Sequence, residues 1–167
     1  MDPAPQTKIL VAMHSEERFL RVLAGHDLTV VKKCDEARAL LESETFGIVI
    51  LGVHFDESQM FSLLGDIRAH AQYRKVPILC VLGARGRILT DVAVEGLDHA
   101  VKAMTANGFL NLENFPDNEA GNGRIRRIVD CLILIDGDLQ QIQDENGKPV
   151  PGHLLGEPRR RSSDQPH

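Results

Sequence analysis

His14, His54 and Asp56 are the residues of this chain whose types and placement come nearest to a chemical site. Each follows an apolar run that reads as a buried strand, Lys8–Met13 for His14 and Phe46–Val53 for the other two. Glu16, Glu17 and Glu57 stand close by in sequence. In an open α/β sheet such strand ends gather at the carboxyl edge, where ligands bind. Imidazoles beside carboxylates are credible ligands for zinc or a similar ion. No tight ligand spacing such as HExxH supports them, so no metal is assigned. Solvated loop residues at the rim are the plainer reading. Gly52, which ends the second of those runs, supplies no nucleophile, acid, base or ligand.

Other motifs are equally sparse. No P-loop, GxGxxG, nucleophile elbow or metalloprotease signature occurs, and no cofactor is assigned. Gly83-Ala84-Arg85-Gly86 is a short glycine-bearing turn of the kind that joins a strand to a helix. Cys34, Cys80 and Cys131 are widely spaced with no CxxC pair, which suggests reduced thiols. A formal charge of −5 argues against a general nucleic-acid binder. The one cationic cluster is Arg159-Arg160-Arg161; Lys8, Arg18, Arg68 and Arg85 read as solvated surface. The start, MDPAPQTK, has no basic flank or long apolar segment, and no run approaches membrane-spanning length. A cytoplasmic protein with no membrane partner is expected.

The elements that would position these residues alternate. Residues 1–7 form a polar arm, and Lys8–Met13 is the first strand. Ser15 is placed to cap a helix whose inner face is Phe19, Leu20 and Leu23, ended by Gly25. Leu28–Val31 is the second strand, and Asp35 caps a helix through Ala37, Leu40 and Leu41. The third strand, 47–53, is rich in β-branched residues and reads as buried on both faces. A helix from Ser58 to His70 carries Met60, Phe61, Leu64 and Ile67 on one stripe. Val76–Leu82 is the fourth strand; a helix over 87–106 turns Leu89, Val92, Leu97, Val101 and Met104 inward, and Phe109–Leu112 is the fifth strand. This order predicts βαβ units, a parallel sheet and helices on both faces.

The last apolar segment leaves alternatives open. Ile125, Leu132 and Leu139 are seven apart, as are Ile128, Ile135 and Ile142, after a polar loop from Pro116 to Gly123. That stripe predicts a helix packed on the sheet, its end able to project and pair with another chain. Asp136-Gly137 is also a hairpin signal, and Asn146-Gly147 repeats it. The domain is taken as 8–143, followed by a polar tail over 144–167 with little expected order.

With five alternating units in place, FGIVILGVHFDESQMFSLLGDIRAHAQYRKVPIL resembles the strand–helix–strand around the phosphorylation site of response-regulator receiver domains. Phe109, after Ala106-Asn107-Gly108, resembles that family's aromatic position on the fifth strand. The resemblance covers roughly residues 8–135. It implies a flavodoxin-like (CheY-like) three-layer α/β/α sandwich with a five-stranded parallel sheet of order 2-1-3-4-5. In such domains an acidic pair binds Mg²⁺, an aspartate accepts phosphoryl, and a hydroxyl and a lysine complete the site. Metal and lysine neutralise the charge that develops on the transferring group. Here the acidic pair falls on Met13 and His14, the acceptor on Gly52, the hydroxyl on Leu82 or Gly83, and the lysine on Leu112 or near it. The resemblance therefore implies a pseudo-receiver, with no enzymatic activity, that signals by binding another protein without phosphorylation. It also implies a partner face over 87–142 that includes Val101, Met104, Phe109, Leu139 and Ile142, with a homodimer through the last helix as one form. The alternative is a sensor that binds a small ligand or metal in the emptied pocket.

Overall fold

Short runs of β-branched residues, leucine and alanine build the sheet in this computed structural model, which describes residues 7–14, 17–83 and 89–141, with side chains through Leu134. The strands are β1 (Lys8–Ala12), β2 (Asp27–Val31), β3 (Ile48–Gly52), β4 (Ile78–Leu82) and β5 (Gly108–Asn111). All pair in parallel, in the order β2-β1-β3-β4-β5. Every residue of β3 and β4 is buried, as central strands covered on both faces require.

Side-chain alternation along the strands sorts the core into two layers. Leu10, Ala12, Val49, Leu51, Ile78 and Cys80 face α2 (Cys34–Ser43), α3 (Met60–Ala69) and α4 (Asp91–Ala103). Ile9, Val11, Ile48, Ile50, Leu79 and Val81 face α1 (Glu17–Val22) and α5 (Glu119–Gln141). Each fully covered leucine or isoleucine contributes about 2 kcal/mol, so these two layers carry the fold.

The helices correct several sequence expectations. Phe19, Val22 and Leu23 form the inner face at α1, whereas Leu20 is 37% exposed. Gly25 ends that segment with φ +101°, a conformation glycine adopts without strain; Ser15 lies outside the described residues. α3 starts at Met60 instead of Ser58, because Asp56, Glu57 and Ser58 are left-handed, with φ of 41°, 57° and 68°. α4 is capped by Thr90, whose hydroxyl accepts from the Ala93 amide at 3.2 Å. Its inward stripe runs through Val94, Leu97 and Val101, and Val92 is 79% exposed.

The expected loop over 116–123 is partly helix. Asn118 caps α5, its carboxamide oxygen accepting from the Gly121 amide at 2.8 Å. Gly121 is required at that turn, since a Cβ would fall 1.9 Å from the Pro116 carbonyl oxygen. Ile125 and Val129 are fully buried, with Ile128, Leu132 and Ile133 packed beside them. The backbone stays helical through Gly137 to Gln141, so Asp136-Gly137 makes no hairpin. At 23 residues α5 is roughly 34 Å long, against about 17 Å for a five-residue strand, and it overruns the sheet.

Candidate functional site

At the carboxyl edge, Met13 follows β1 and Gly52 ends β3, in register with Val81 of β4. Met13 is 4% exposed and packs in the layer beneath α1 and α5. A Cβ on Gly52 would lie 3.3 Å from Met13 Cγ and 3.4 Å from its Cα. Met13 thus stands against the space that a side chain at Gly52 would need. Met13, His14, Gly52, Val53, His54, Phe55, Val81 and Gly83 line a cleft of about 80 Å³. That is room for two or three waters, well below the roughly 300 Å³ at which pockets for organic ligands begin. The carboxyl edge is narrow and largely apolar where the fold would seat its chemistry.

The other expected site positions do not converge there. Leu82 is 5% exposed and packs in the α2–α3–α4 layer, while Leu112 is 7% exposed and packs in the opposite one. Of the two candidates at the end of β4, it is Gly83 that lines the cleft. His14 and His54 are exposed at its rim. Among the described residues no three histidines, cysteines or acids are grouped as metal ligands.

Asp56 is occupied elsewhere. Its carboxylate accepts from the Cys34 amide at 2.8 Å and from Lys33 Nζ at 3.1 Å. The expected cap of α2, Asp35, is already inside the helix, and Lys33 at the N-cap position makes no side-chain cap. An acid from the β3–α3 loop caps the helix instead, where the dipole favours negative charge. The Cys34 amide first, and then Lys33, hold the Asp56 carboxyl below the usual carboxylate range.

Two of the cations expected on the solvated surface are structural, while Lys8 remains in a surface ion pair. Arg18 is 14% exposed and ties α1 to the approach of α5, donating to Asn122 Oδ1 at 2.9 Å and to the Phe115 and Pro116 carbonyls at 2.6 and 2.8 Å. Arg68 donates to the Tyr73, Val76 and Thr105 carbonyls at 2.8, 2.7 and 2.7 Å and to Asn107 Oδ1 at 2.9 Å. Lys8 pairs with Glu44 at 2.5 Å. Arg85 lies outside the described residues. Sequence spacing carried no signal for Arg18 and little for Arg68, because most of their partners lie far along the chain.

A second feature is a groove of about 410 Å³ between α4 and β5. Asp91, Val94, Glu95 and Asp98 form one wall, Phe109 and Asn111 the floor, and Asn114 and Phe115 the other wall. Arg124 from α5 stacks on the Phe115 ring, 4.7 Å from its centroid. The groove lies on the face expected for a partner, where Met104 and Phe109 are half-buried. Val101 is fully buried and belongs to the core, a correction to its place on that face. The Leu139 side chain and all of Ile142 lie outside the described residues.

The strand order, the two helical layers and the cleft beside β1 and β3 can now be set against known structures. The phosphorylated cyanobacterial phytochrome response regulator RcpA superimposes over 77% of this chain and 94% of its own, with TM-score 0.60 and 14% identity. The receiver domain of an HD domain-containing protein from Pseudomonas fluorescens Pf-5 covers 85% of this chain and 97% of its own, at TM-score 0.64 and 16% identity. The chemotaxis response regulator CheY4 of Vibrio cholerae covers 74% and 98%, at TM-score 0.58 and 21% identity. This is the receiver fold. At these identities the likeness establishes architecture alone. No family model matches the sequence, and no curated protein does. Among the described residues of this receiver fold, no helix is long and apolar enough to cross a membrane.

Proposed function

We propose that this chain is a receiver-like signalling module that accepts no phosphoryl group and acts through protein contact. The observation that carries this reading is the pairing of Gly52 with Met13. The position that would bear the acceptor carboxylate has no side chain, and the neighbouring position that would hold Mg²⁺ is a buried methionine. A carboxylate cannot attack phosphorus without groups that neutralise the developing charge, and Leu82 and Leu112 bring none. Asp56 is no substitute acceptor, since its oxygens are engaged at α2. A sensor for an organic ligand is disfavoured by a cleft of about 80 Å³.

The partner surface on this reading is the α4–β5–α5 face, with Met104 and Phe109 at its apolar part and the end of α5 as the segment for self-association. Leu134, on the outer face of α5 beside the core-packed Leu132 and Ile133, is 62% exposed. Incubation with acetyl phosphate and Mg²⁺ tests the chemistry: the intact mass stays unchanged, and a stable phosphoryl adduct would overturn the reading. Sedimentation tests the helix: any dimer dissociates in Leu139→Asp with Ile142→Asp, and a dimer untouched by both changes excludes this seam.

A further inference from the structure

The groove between α4 and β5 brings carboxylates, aromatic rings and carboxamides onto one surface. Its α4 wall sets Asp91, Glu95 and Asp98 at positions i, i+4 and i+7, which fall on one helical face. Phe109 and Phe115 supply aromatic faces, and Asn111 and Asn114 supply amide oxygens. Carboxylates and aromatic rings are the two surfaces a planar guanidinium recognises. Arg124 already uses the Phe115 ring from the α5 side. Two local cations partly offset the acids: His99 lies 3.7 Å from Glu95, and Lys102 lies 2.8 Å from Asp98. Neither closes the wall. Asp98 Oδ1 is covered and held by Lys102, so the open acids of the wall are Asp91, which is in no described ion pair, and the exposed Glu95.

The chain carries a matching segment. Leu154-Leu155 and then Arg159-Arg160-Arg161 follow the last described residue of α5, Gln141. We infer that the chain's own Arg159–Arg161 segment docks in the groove between α4 and β5 and covers the face proposed for a partner. α5 starts beside Phe115 and carries the chain roughly 34 Å back along the domain. The stretch from Gln141 to Arg159 spans roughly 60 Å when extended, enough to return to the groove. Tethering gives such a segment an effective concentration on the order of millimolar, so a weak site is occupied in cis before a free partner reaches it. The contact is electrostatic and solvent-accessible, and salt weakens it. A partner must then displace the tail. The inference concerns the same face as the proposed function but does not depend on the absence of phosphorylation.

Two-dimensional amide NMR of the full chain decides it, because the tail can be altered without touching the core. Arg159→Glu, Arg160→Glu and Arg161→Glu made together shift the amides of Asp91–Asp98 and Phe109–Phe115. Raising NaCl to about 1 M shifts the same amides of the unaltered chain in the same direction. Glu95→Arg, at a side chain that is 73% exposed and so tolerant of change, returns the Phe109–Phe115 amides of the charge-reversed chain toward their original positions. Shifts absent from the groove, or confined to other elements, overturn the inference. Groove shifts that grow with protein concentration also overturn it, since the occupant is then a second copy's tail. Phosphorylation enters none of these readouts, so failure here is separable from failure of the proposed function.

Discussion

The two edges of the sheet treat charge in opposite ways. At the amino edge the Arg68 guanidinium gathers the Tyr73, Arg74, Val76 and Thr105 carbonyls and the Asn107 side chain, which join the returns of α3 and α4 to β4 and β5. Nearby, Tyr73 is fully buried and its hydroxyl donates to the Glu44 carbonyl. At the carboxyl edge, where the fold seats ligands, Met13 lies against Gly52 and the cleft holds about 80 Å³. His14 and His54 stand exposed at its rim, and the Asp56 carboxylate is turned to α2. The lesson is that the site edge has been closed by packing, whereas the opposite edge depends on hydrogen bonds.

Arg68 is the place to break that contrast. Burial lowers its pKa, yet it remains charged and faces only neutral acceptors. Arg68→Ala leaves the part-buried Tyr73 and Val76 carbonyls without their donor and removes the link to Thr105 and Asn107, so a loss of about 2 kcal/mol is expected in urea unfolding. Arg68→Lys recovers less than half of it, because an ammonium cannot span the same fork of acceptors. A loss below about 1 kcal/mol would mean the amino edge does not rely on this network.

The carboxyl edge is sharpened by restoring what it lacks. Gly52→Asp places a carboxylate against the buried Met13, with no cation among the described residues of the cleft, and costs about 2 kcal/mol or more. Gly52→Ala tests the steric part alone. The 3.3 Å contact with Met13 Cγ calls for a small shift, offset by the entropy a glycine loses in a strand, so the change stays within about 1 kcal/mol. Met13→Ala removes the obstacle, and in a double-mutant cycle it reduces the cost of Gly52→Asp. Strict additivity would show that the two positions do not compete for one space.

How much of this was legible in the sequence follows from range. The five strands were, because β-branched runs such as Ile48–Leu51 bear a local signature, and alternation along them sorts the layers. That Gly52 brings no functional side chain to the end of β3 was legible, but not the packing around it, which needs Met13 to approach from another strand. Arg18 and Arg68 were misread because an arginine's spacing says nothing about carbonyls elsewhere in the chain. Gly121 and Gly123 looked like loop residues. Only the approach of the Pro116 carbonyl shows that helix geometry demands a glycine at 121. Val92 was misplaced because one step around a helix moves a side chain by 100° and exchanges core for solvent.

Asp56 makes the carboxyl edge sensitive to acid. Its folded pKa is depressed, so its contribution is full above the unfolded carboxylate value of about 3.9 and is lost as pH falls through the folded value. Unfolding midpoints should therefore fall below about pH 4, with Asp117 adding to the slope through Asn122 and Arg21. Asp56→Asn keeps an acceptor for the Cys34 amide but removes the charge. The variant is less stable than the parent at neutral pH, and the two converge near pH 2. A difference that is the same at both pH values would exclude the charge as the source.

The smallest expected effect separates strain from function within the β3–α3 loop. Asp56, Glu57 and Ser58 share the left-handed region, at φ of 41°, 57° and 68°. Such a conformation costs a non-glycine residue about 1–2 kcal/mol. Ser58 makes no hydrogen bond among the described residues that would repay it. Glycine there relieves the strain but loses about 0.5–1 kcal/mol of chain entropy on folding, so Ser58→Gly stabilises by less than about 1 kcal/mol. The same exchange at Asp56 has the opposite sign. It frees the backbone equally but removes the carboxylate that caps α2 and holds Lys33. Paired urea titrations of Ser58→Gly and Asp56→Gly should therefore move in opposite directions. If both stabilise, the cap contributes nothing and the loop is merely strained; if both destabilise, Ser58 has a role that its φ alone does not reveal.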